Sequence, residues 1–192
     1  MTGKRAWIHS FTKGFVRPFD HVLMTAMQKT MMDLCKNIQG AVFGYTQSDE
    51  ISLLLIDYLN LDSSAWFDNE VQKSCSVSAS MCTLYFNQHF SEEVAQAADG
   101  NGEHKARLKA AKAGGMFDAR CFNVPRDEVT NYFLGRQNDA TRNSIQMVGQ
   151  CYFKHRELQG KSGNEIQDML LTKYDVNWNH FYRPGKTGRS ML

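Results

Sequence analysis

The segment AVFGYTQSDEISLLLIDY constrains the fold of this chain more than any other stretch. Two apolar runs, 41–43 and 51–56, flank a polar turn at 46–50, and this pattern predicts a β-hairpin. Asp49 and Glu50 then lie at its tip. Because successive strand residues point to opposite faces, we expect the two carboxylates not to share one site. One of them could bind a metal in a cleft; the alternative is that both are ordinary acids of a turn.

The composition is that of a globular protein in a reducing compartment. Hydrophobic residues make up 42% of the chain and charged residues 22%, which is ordinary for such a domain. No apolar run approaches the roughly 20 residues of a membrane span. The five cysteines are odd in number and form no CxxC pair, which argues against a disulfide framework and against a zinc site. We therefore expect a cytoplasmic protein with reduced thiols and no membrane partner.

Positive charge is concentrated in two places, although the net charge is only +2. One basic cluster occupies 104–112 and the other lies in the tail, at 183–189. Because affinity for phosphate depends on local clusters, either could contact RNA; the alternative is solvated surface. The segment 91–115, which changes from acidic to Gly-rich to basic, predicts a flexible insertion.

The remaining pattern predicts an α+β fold in one domain, residues 1–192. Apolar residues recur at spacings of three and four between residues 19 and 38, which predicts an amphipathic helix. A loop at 3–20 precedes this helix. After the hairpin the pattern predicts, in chain order, helix 66–90, strand 117–124, a helix opened by Pro125, a break at Gly135, and helices 137–155 and 164–174. Helices covering one face of an antiparallel sheet fit this order, as in polymerase palm domains.

Five segments occur in an order that is typical of a known family: GYTQSDEISLLL, WFDNEVQKSCSVSAS, FDARCFNVP, RQNDATRNSIQ and ELQGK. Together they resemble the tRNA-histidine guanylyltransferase family, especially its bacterial, archaeal and phage branch of guanylyltransferase-like 3′–5′ polymerases. The resemblance covers nearly the whole chain. It implies a palm-like fold and a homotetramer. It also implies Mg²⁺-dependent addition of nucleotides to the 5′ end of tRNA, with GTP and ATP as substrates.

The resemblance also assigns the site residues. Two Mg²⁺ ions would neutralise charge on the phosphates, which explains the need for carboxylates. Asp49 matches a metal-binding aspartate, Gly3 the glycine of the other metal-binding motif, and Glu50 a supporting acid. Six further residues match nucleotide-binding positions: His9, Arg17, Ser48, Lys73, Arg120 and Asn143. Read without the family, Lys73 is a solvated lysine and Arg120 a structural arginine.

The chain departs from the family pattern in two places. Around Asn143 it has Thr-Arg-Asn-Ser where the eukaryotic enzymes have His-Ile-Asn-Asn, so it is similar to members that repair truncated tRNA 5′ ends. At the start, Thr2 stands where the family has a metal-binding aspartate, and the strand before it is missing. We expect either a displaced start or a degenerate site. The sequence therefore favours an enzyme, with a non-catalytic tRNA- and GTP-binding protein on the same fold as the alternative.

Overall fold

A computed structural model describes residues 10–97, 101–181 and 187–191. It is a mixed α+β structure, as predicted. Its helices are α1 (His21–Asn37), α2 (Val71–Gln96), α3 (Gly102–Ala113), α4 (Val129–Tyr152), α5 (His155–Leu158) and α6 (Gly163–Tyr174). Its strands are β1 (Ala41–Gln47), β2 (Glu50–Leu55) and β3 (Arg189–Met191), in the sheet order β2-β1-β3. Short 3-10 turns lie at Trp66–Asn69, Arg126–Glu128 and Trp178–His180.

The chain divides into two compact units. Among the described residues the first unit contains 10–16, 20–97, 101–123 and 190–191, and the second contains 17–19, 124–181 and 187–189. Within the described ranges, no helix combines the length and the apolar character that a membrane span needs.

The predicted hairpin is confirmed, and its turn is tighter than the sequence suggested. β1 and β2 are antiparallel, and Gln47 pairs with Glu50, which leaves a loop of Ser48 and Asp49. Ser48 has a φ of 52°, as hairpin turns that match the strand twist require positive φ at the first loop residue. The Thr46 hydroxyl donates a hydrogen bond of 3.0 Å to the Glu50 carbonyl and closes the turn.

The amphipathic helix is also confirmed, as α1. Its buried stripe follows the predicted spacing: Val22, Ala26, Met27, Thr30, Met31 and Leu34. α1 packs on both α2 and β1. The contact with β1 is so close that a Cβ atom on Gly44 would lie 2.6 Å from the Cys35 Sγ and 3.0 Å from the Met31 Cγ. Glycine at position 44 therefore sets how near the hairpin lies to α1.

Aromatic rings fill the space between α1, α2 and the segment before α1. Phe86 and Phe90 of α2 stack with centroids 5.5 Å apart, and Phe15 stacks on Phe90 at 5.8 Å. Phe11 packs at 5.3 Å from Phe90. All four rings are buried. Burying large aromatic rings is a main source of stability in a domain of this size.

A buried ion pair joins α3 to the start of α1. The Asp20 Oδ2 accepts hydrogen bonds from the Arg107 Nε and Nη2 at 3.1 and 3.0 Å, and from the Val16 N–H at 3.0 Å. The Asp20 Oδ1 caps α1 by accepting the Leu23 N–H at 3.1 Å. The side chains of Arg107 and Asp20 are 7% and 3% exposed.

The segment predicted to be a flexible insertion is largely helical. α3 buries His104, Arg107 and Ala110, three residues spaced so that they lie on one face of a helix. Arg107 belongs to the basic cluster that the sequence analysis considered as an RNA contact, but its charge is paired with Asp20 in the interior. The cluster's three lysines, Lys105, Lys109 and Lys112, are exposed.

The predicted strand at 117–124 is wrong. The described residues 114–125 form no strand, and this segment runs along α2 instead. Asn87 accepts the Gly115 N–H at 2.6 Å and donates to its carbonyl at 2.9 Å, and Thr83 Oγ1 accepts the Phe117 N–H at 3.1 Å. Helix side chains thus satisfy backbone groups that a strand would pair in a ladder. The third strand is β3, which the sequence did not predict.

In the second unit, α4 and α6 pack together around Ile145, Val148, Ile166 and Leu170. Pro125 precedes the turn that opens α4, as predicted. The predicted break at Gly135 is wrong: α4 continues through this residue to Tyr152. An isolated glycine weakens a helix without ending it.

We predict that Arg107→Met lowers the free energy of unfolding by about 3 to 5 kcal/mol, because the buried Asp20 carboxylate loses its charged partner. Urea denaturation measures this change. Lys105→Met is the matched control, since Lys105 is exposed on the same helix, and it should shift the value by less than about 0.5 kcal/mol. Equal losses in the two variants would contradict a structural role for the ion pair.

We also predict opposite effects of alanine at two glycines. Gly44→Ala should destabilise by about 1 to 3 kcal/mol, because the new methyl group would overlap α1. Gly135→Ala should stabilise by about 0.5 to 1 kcal/mol, because the site is helical and a Cβ there meets no atom within 4 Å. Thermal and urea unfolding measure the stability of both variants. If Gly135→Ala destabilised the protein as much as Gly44→Ala, the lack of space at position 44 would not explain the loss.

Candidate functional site

The tip of the hairpin presents the SDE turn. Ser48 and Glu50 are exposed and Asp49 is half-buried. Within the part of the chain that the structure describes, Asp49 has no hydrogen-bond or ion-pair partner. A carboxylate without a protein partner has oxygens available to accept a hydrogen bond or to bind a cation. Asp49 is therefore positioned to take a cation or a hydrogen-bond donor from a ligand.

Lys73 lies in the first turn of α2, beside an unusual stretch of backbone. Its Nζ lies 4.6 Å from the centroid of the Phe67 ring, a cation–π contact. Phe67, Asp68 and Asn69 have φ values of 52°, 51° and 60°, a left-handed conformation that non-glycine residues rarely adopt in succession. The strained stretch ends immediately before α2 and places the Phe67 ring beside Lys73.

Neighbouring contacts hold this left-handed stretch in place. The Asn69 Nδ2 donates a hydrogen bond of 3.2 Å to the Asp57 Oδ2, and the Trp66 and Phe67 rings pack at 4.5 Å. Strain of this kind persists only where the surroundings determine the conformation. The sequence interpretation missed Phe67 as a partner of Lys73, and the WF pair shortly before the lysine was the available signal.

Arg120 lies on the segment 114–125 and is exposed, with its Nε 3.8 Å from the Asp118 Oδ2. The next residue, Cys121, is near enough to Cys75, two residues beyond Lys73, for the Cys75 thiol to influence the pKa of Cys121. The two segments that carry Lys73 and Arg120 therefore lie side by side. Burial, and then the neighbouring Cys75 thiol, raise the pKa of the Cys121 thiol to about 11.

The other predicted site residues belong to the second unit or fall outside the described residues. Arg17 and Asn143 are exposed residues of the second unit. Asn143 is on α4, next to Arg142, whose Nη2 lies 3.3 Å from the Asp139 Oδ1. Gly3 and His9 fall outside the described residues.

The residues present do not by themselves make a complete metal site. Among the described ranges, no group of three or more His, Cys, Asp or Glu side chains could hold a metal ion. The hairpin tip contributes Asp49, with Glu50 next to it. Mg²⁺ takes six oxygen ligands, of which proteins often supply one or two carboxylates and the substrate phosphates and water the rest. Asp49 suits such an ion as one ligand of a larger set.

Comparison with known proteins identifies related sequences. The family model for tRNAHis guanylyltransferase matches residues 6–125. A probable tRNA(His) guanylyltransferase of Dictyostelium discoideum is 26% identical over 195 residues, which covers 92% of this chain and 69% of that protein.

Two solved structures are similar over 96% of this chain. A bacterial tRNA(His) guanylyltransferase-like protein in complex with ATP is 41% identical, with a TM-score of 0.83 over 75% of its own length. One in complex with GTP is 37% identical, with a TM-score of 0.76 over 70% of its length. The family match over more than half of the chain and the shared fold at this identity show that the chain belongs to the tRNAHis guanylyltransferase family of nucleotidyltransferases.

Proposed function

We propose that this protein adds guanosine, or nucleotides templated by the opposite strand, to the 5′ end of tRNA in the 3′–5′ direction, and so matures or repairs that end. The observation that carries the proposal is Asp49, a half-buried carboxylate without a partner among the described residues, in the SDE turn of a chain of this family. GTP and ATP are its substrates, as supported by the similar bacterial proteins bound to these nucleotides.

Two cations are suited to hold triphosphate. Lys73 and Arg120 are exposed and lie on adjacent segments of the first unit. Hydrogen bonds between such cations and phosphate oxygens are charge-assisted and stronger than neutral ones. The Phe67 ring holds the Lys73 ammonium group near one position, which reduces the conformational freedom lost on binding.

The remaining site residues complete the proposal. Ser48 contacts nucleotide or phosphate at the hairpin tip and Glu50 supports the site. As the family resemblance implies, His9, Arg17 and Asn143 bind nucleotide in this proposal. Asp49 and Gly3 are the groups that the chain offers to Mg²⁺, which when bound neutralises phosphate charge and acidifies the attacking hydroxyl.

The polymer partner in this proposal is tRNA. The exposed lysines of α3, Lys105, Lys109 and Lys112, supply positive charge for its phosphates. We further propose that the protein acts in the cytoplasm and as a homotetramer, as the family resemblance implies.

A second candidate function is binding of tRNA and GTP without turnover. The acids of the described residues favour it, because only Asp49 and Glu50 lie at the hairpin tip and no group of three or more His, Cys, Asp or Glu side chains in the described ranges could hold a metal ion. The two candidates differ in whether the bound nucleotide is transferred.

We predict that the protein transfers labelled GTP to a tRNA that lacks its first nucleotide, and that a chelator of divalent cations abolishes the transfer. Asp49→Asn should reduce the rate by about a hundredfold or more, the scale of a single electrostatic group at a transition state. Asp62→Asn, an exposed acid after the hairpin, is the control and should retain the wild-type rate. Binding of tRNA and GTP by the wild type without transfer would support the second candidate.

We also predict that Lys73→Ala and Arg120→Ala each weaken binding of GTP or ATP by about tenfold, because each removes a charge-assisted hydrogen bond to phosphate. Equilibrium dialysis with labelled nucleotide measures this. Lys36→Ala, an exposed lysine of α1, should leave the affinity unchanged. Unchanged affinity in both test variants would place the triphosphate elsewhere.

A further inference from the structure

Gln47 is the last residue of β1 and directly precedes the SDE turn. It pairs with Glu50 of β2, and residues directly opposite each other in an antiparallel ladder project from the same face of the sheet. Gly44 faces α1, because a Cβ atom there would meet side chains of that helix. Strand residues three apart point to opposite faces, so Gln47 and Glu50 project from the face that is turned away from α1.

The side chain of Gln47 carries a buried oxygen that lacks a partner. The residue is half-buried and its Oε1 is buried, yet no hydrogen-bond donor reaches this atom in the part of the chain that the structure describes. An amide oxygen can accept two hydrogen bonds, and the large majority of buried side-chain polar atoms have at least one partner. A buried acceptor that stays unpaired destabilises the folded protein.

Other polar side chains around β1 find partners within the fold. The Thr46 hydroxyl donates to the Glu50 carbonyl at 3.0 Å. Gln39, just before β1, donates from its Nε2 to the carbonyl and the hydroxyl of Ser64 at 3.0 and 2.8 Å. The unpaired acceptor of Gln47 lies two residues before Asp49 and on the sheet face that carries Glu50. It is therefore positioned to receive a donor from a ligand at the hairpin tip.

We propose that the Gln47 Oε1 accepts a hydrogen bond from an O–H group of the bound nucleotide and its metal ion, an inference that rests on the proposed function. Two sources of an O–H group fit: a ribose hydroxyl of the nucleotide, and a water molecule held by Mg²⁺, which usually keeps several of its waters when bound. The ionised phosphate oxygens do not fit, because they are themselves acceptors. Gln47 is thus a ligand-binding residue in addition to Ser48 and Asp49.

Replacing Gln47 should change stability and affinity in opposite directions. In the free protein, Gln47→Met removes an unpaired buried acceptor and keeps a side chain of similar size, so the midpoint of thermal unfolding should rise by about 2 to 4 °C. In the complex the same change removes a hydrogen bond, so the affinity for GTP should fall about three- to tenfold. A glutamine that serves only the fold would lower the unfolding midpoint when it is replaced.

The test uses the full chain, with calorimetry of the nucleotide-free protein and equilibrium dialysis against labelled GTP in Mg²⁺. Gln39→Met is the matched control: its amide is paired with Ser64, so its loss should not raise the unfolding midpoint and should leave the GTP affinity unchanged. Dialysis with 2′-deoxy-GTP and 3′-deoxy-GTP then identifies the donor.

The deoxynucleotides separate the two sources. If the difference in affinity between the wild type and Gln47→Met disappears with one of them, the missing ribose hydroxyl is the donor. If the difference persists with both, the donor is water held by Mg²⁺, and a chelator of divalent cations should remove the difference. Either result supports the proposal.

Three outcomes count against it. GTP binding that Gln47→Met leaves unchanged overturns the inference alone, and the buried oxygen is then merely hydrated. A lower unfolding midpoint in Gln47→Met also overturns it, because the oxygen then has a partner in the free protein. Failure of the wild type to bind GTP at all counts against the proposed function and removes the basis of the inference with it.

Discussion

The buried ion pair between Asp20 and Arg107 is the interaction on which the first unit depends. One carboxylate caps α1, binds the Val16 N–H of the preceding loop and neutralises a cation of α3. Charges removed from water in this way require such complete pairing. The pair therefore decides where α1 begins and ties that end of α1 to α3, which packs on α2.

The position of α1 determines the position of the hairpin. Its Met31 and Cys35 side chains pack on β1 at Gly44, and β1 leads directly to the SDE turn. The location of Asp49 thus follows from contacts made far from it in sequence. α2 has the corresponding role for the cations, because it carries Lys73 at its start and holds the segment of Arg120 through Asn87 and Thr83.

Prediction from the sequence succeeded where the signal was local. The hairpin and α1 have clear periodicity, and their burial follows it. α3 was missed because an arginine occupies a central position of its buried face, where periodicity analysis expects an apolar residue. The strand at 117–124 was wrong because an extended segment shows the same pattern whether its backbone groups bond to a neighbouring strand or to side chains of a helix.

The candidate site residues also differ in whether a local sequence signal identifies them. Asp49 could be placed at a hairpin tip from the sequence itself, but Lys73 and Arg120 were recognised through family resemblance. The placement of their two segments depends on how residues 114–125 run along α2, which sequence patterns do not encode. The left-handed conformation of Phe67, Asp68 and Asn69 could not be predicted either, because none of them is glycine.

The close approach of β1 to α1 has a consequence for how related sequences can diverge. Positions 31, 35 and 44 share one small volume. The side chains of Met31 and Cys35 fill the space that a side chain at position 44 would need. A larger residue at position 44 is accommodated only if position 31 or 35 becomes smaller, so the three positions are expected to co-vary. Substitutions there would have to arise as compensated pairs, while the turn that carries Asp49 stays at a constant distance from the helix.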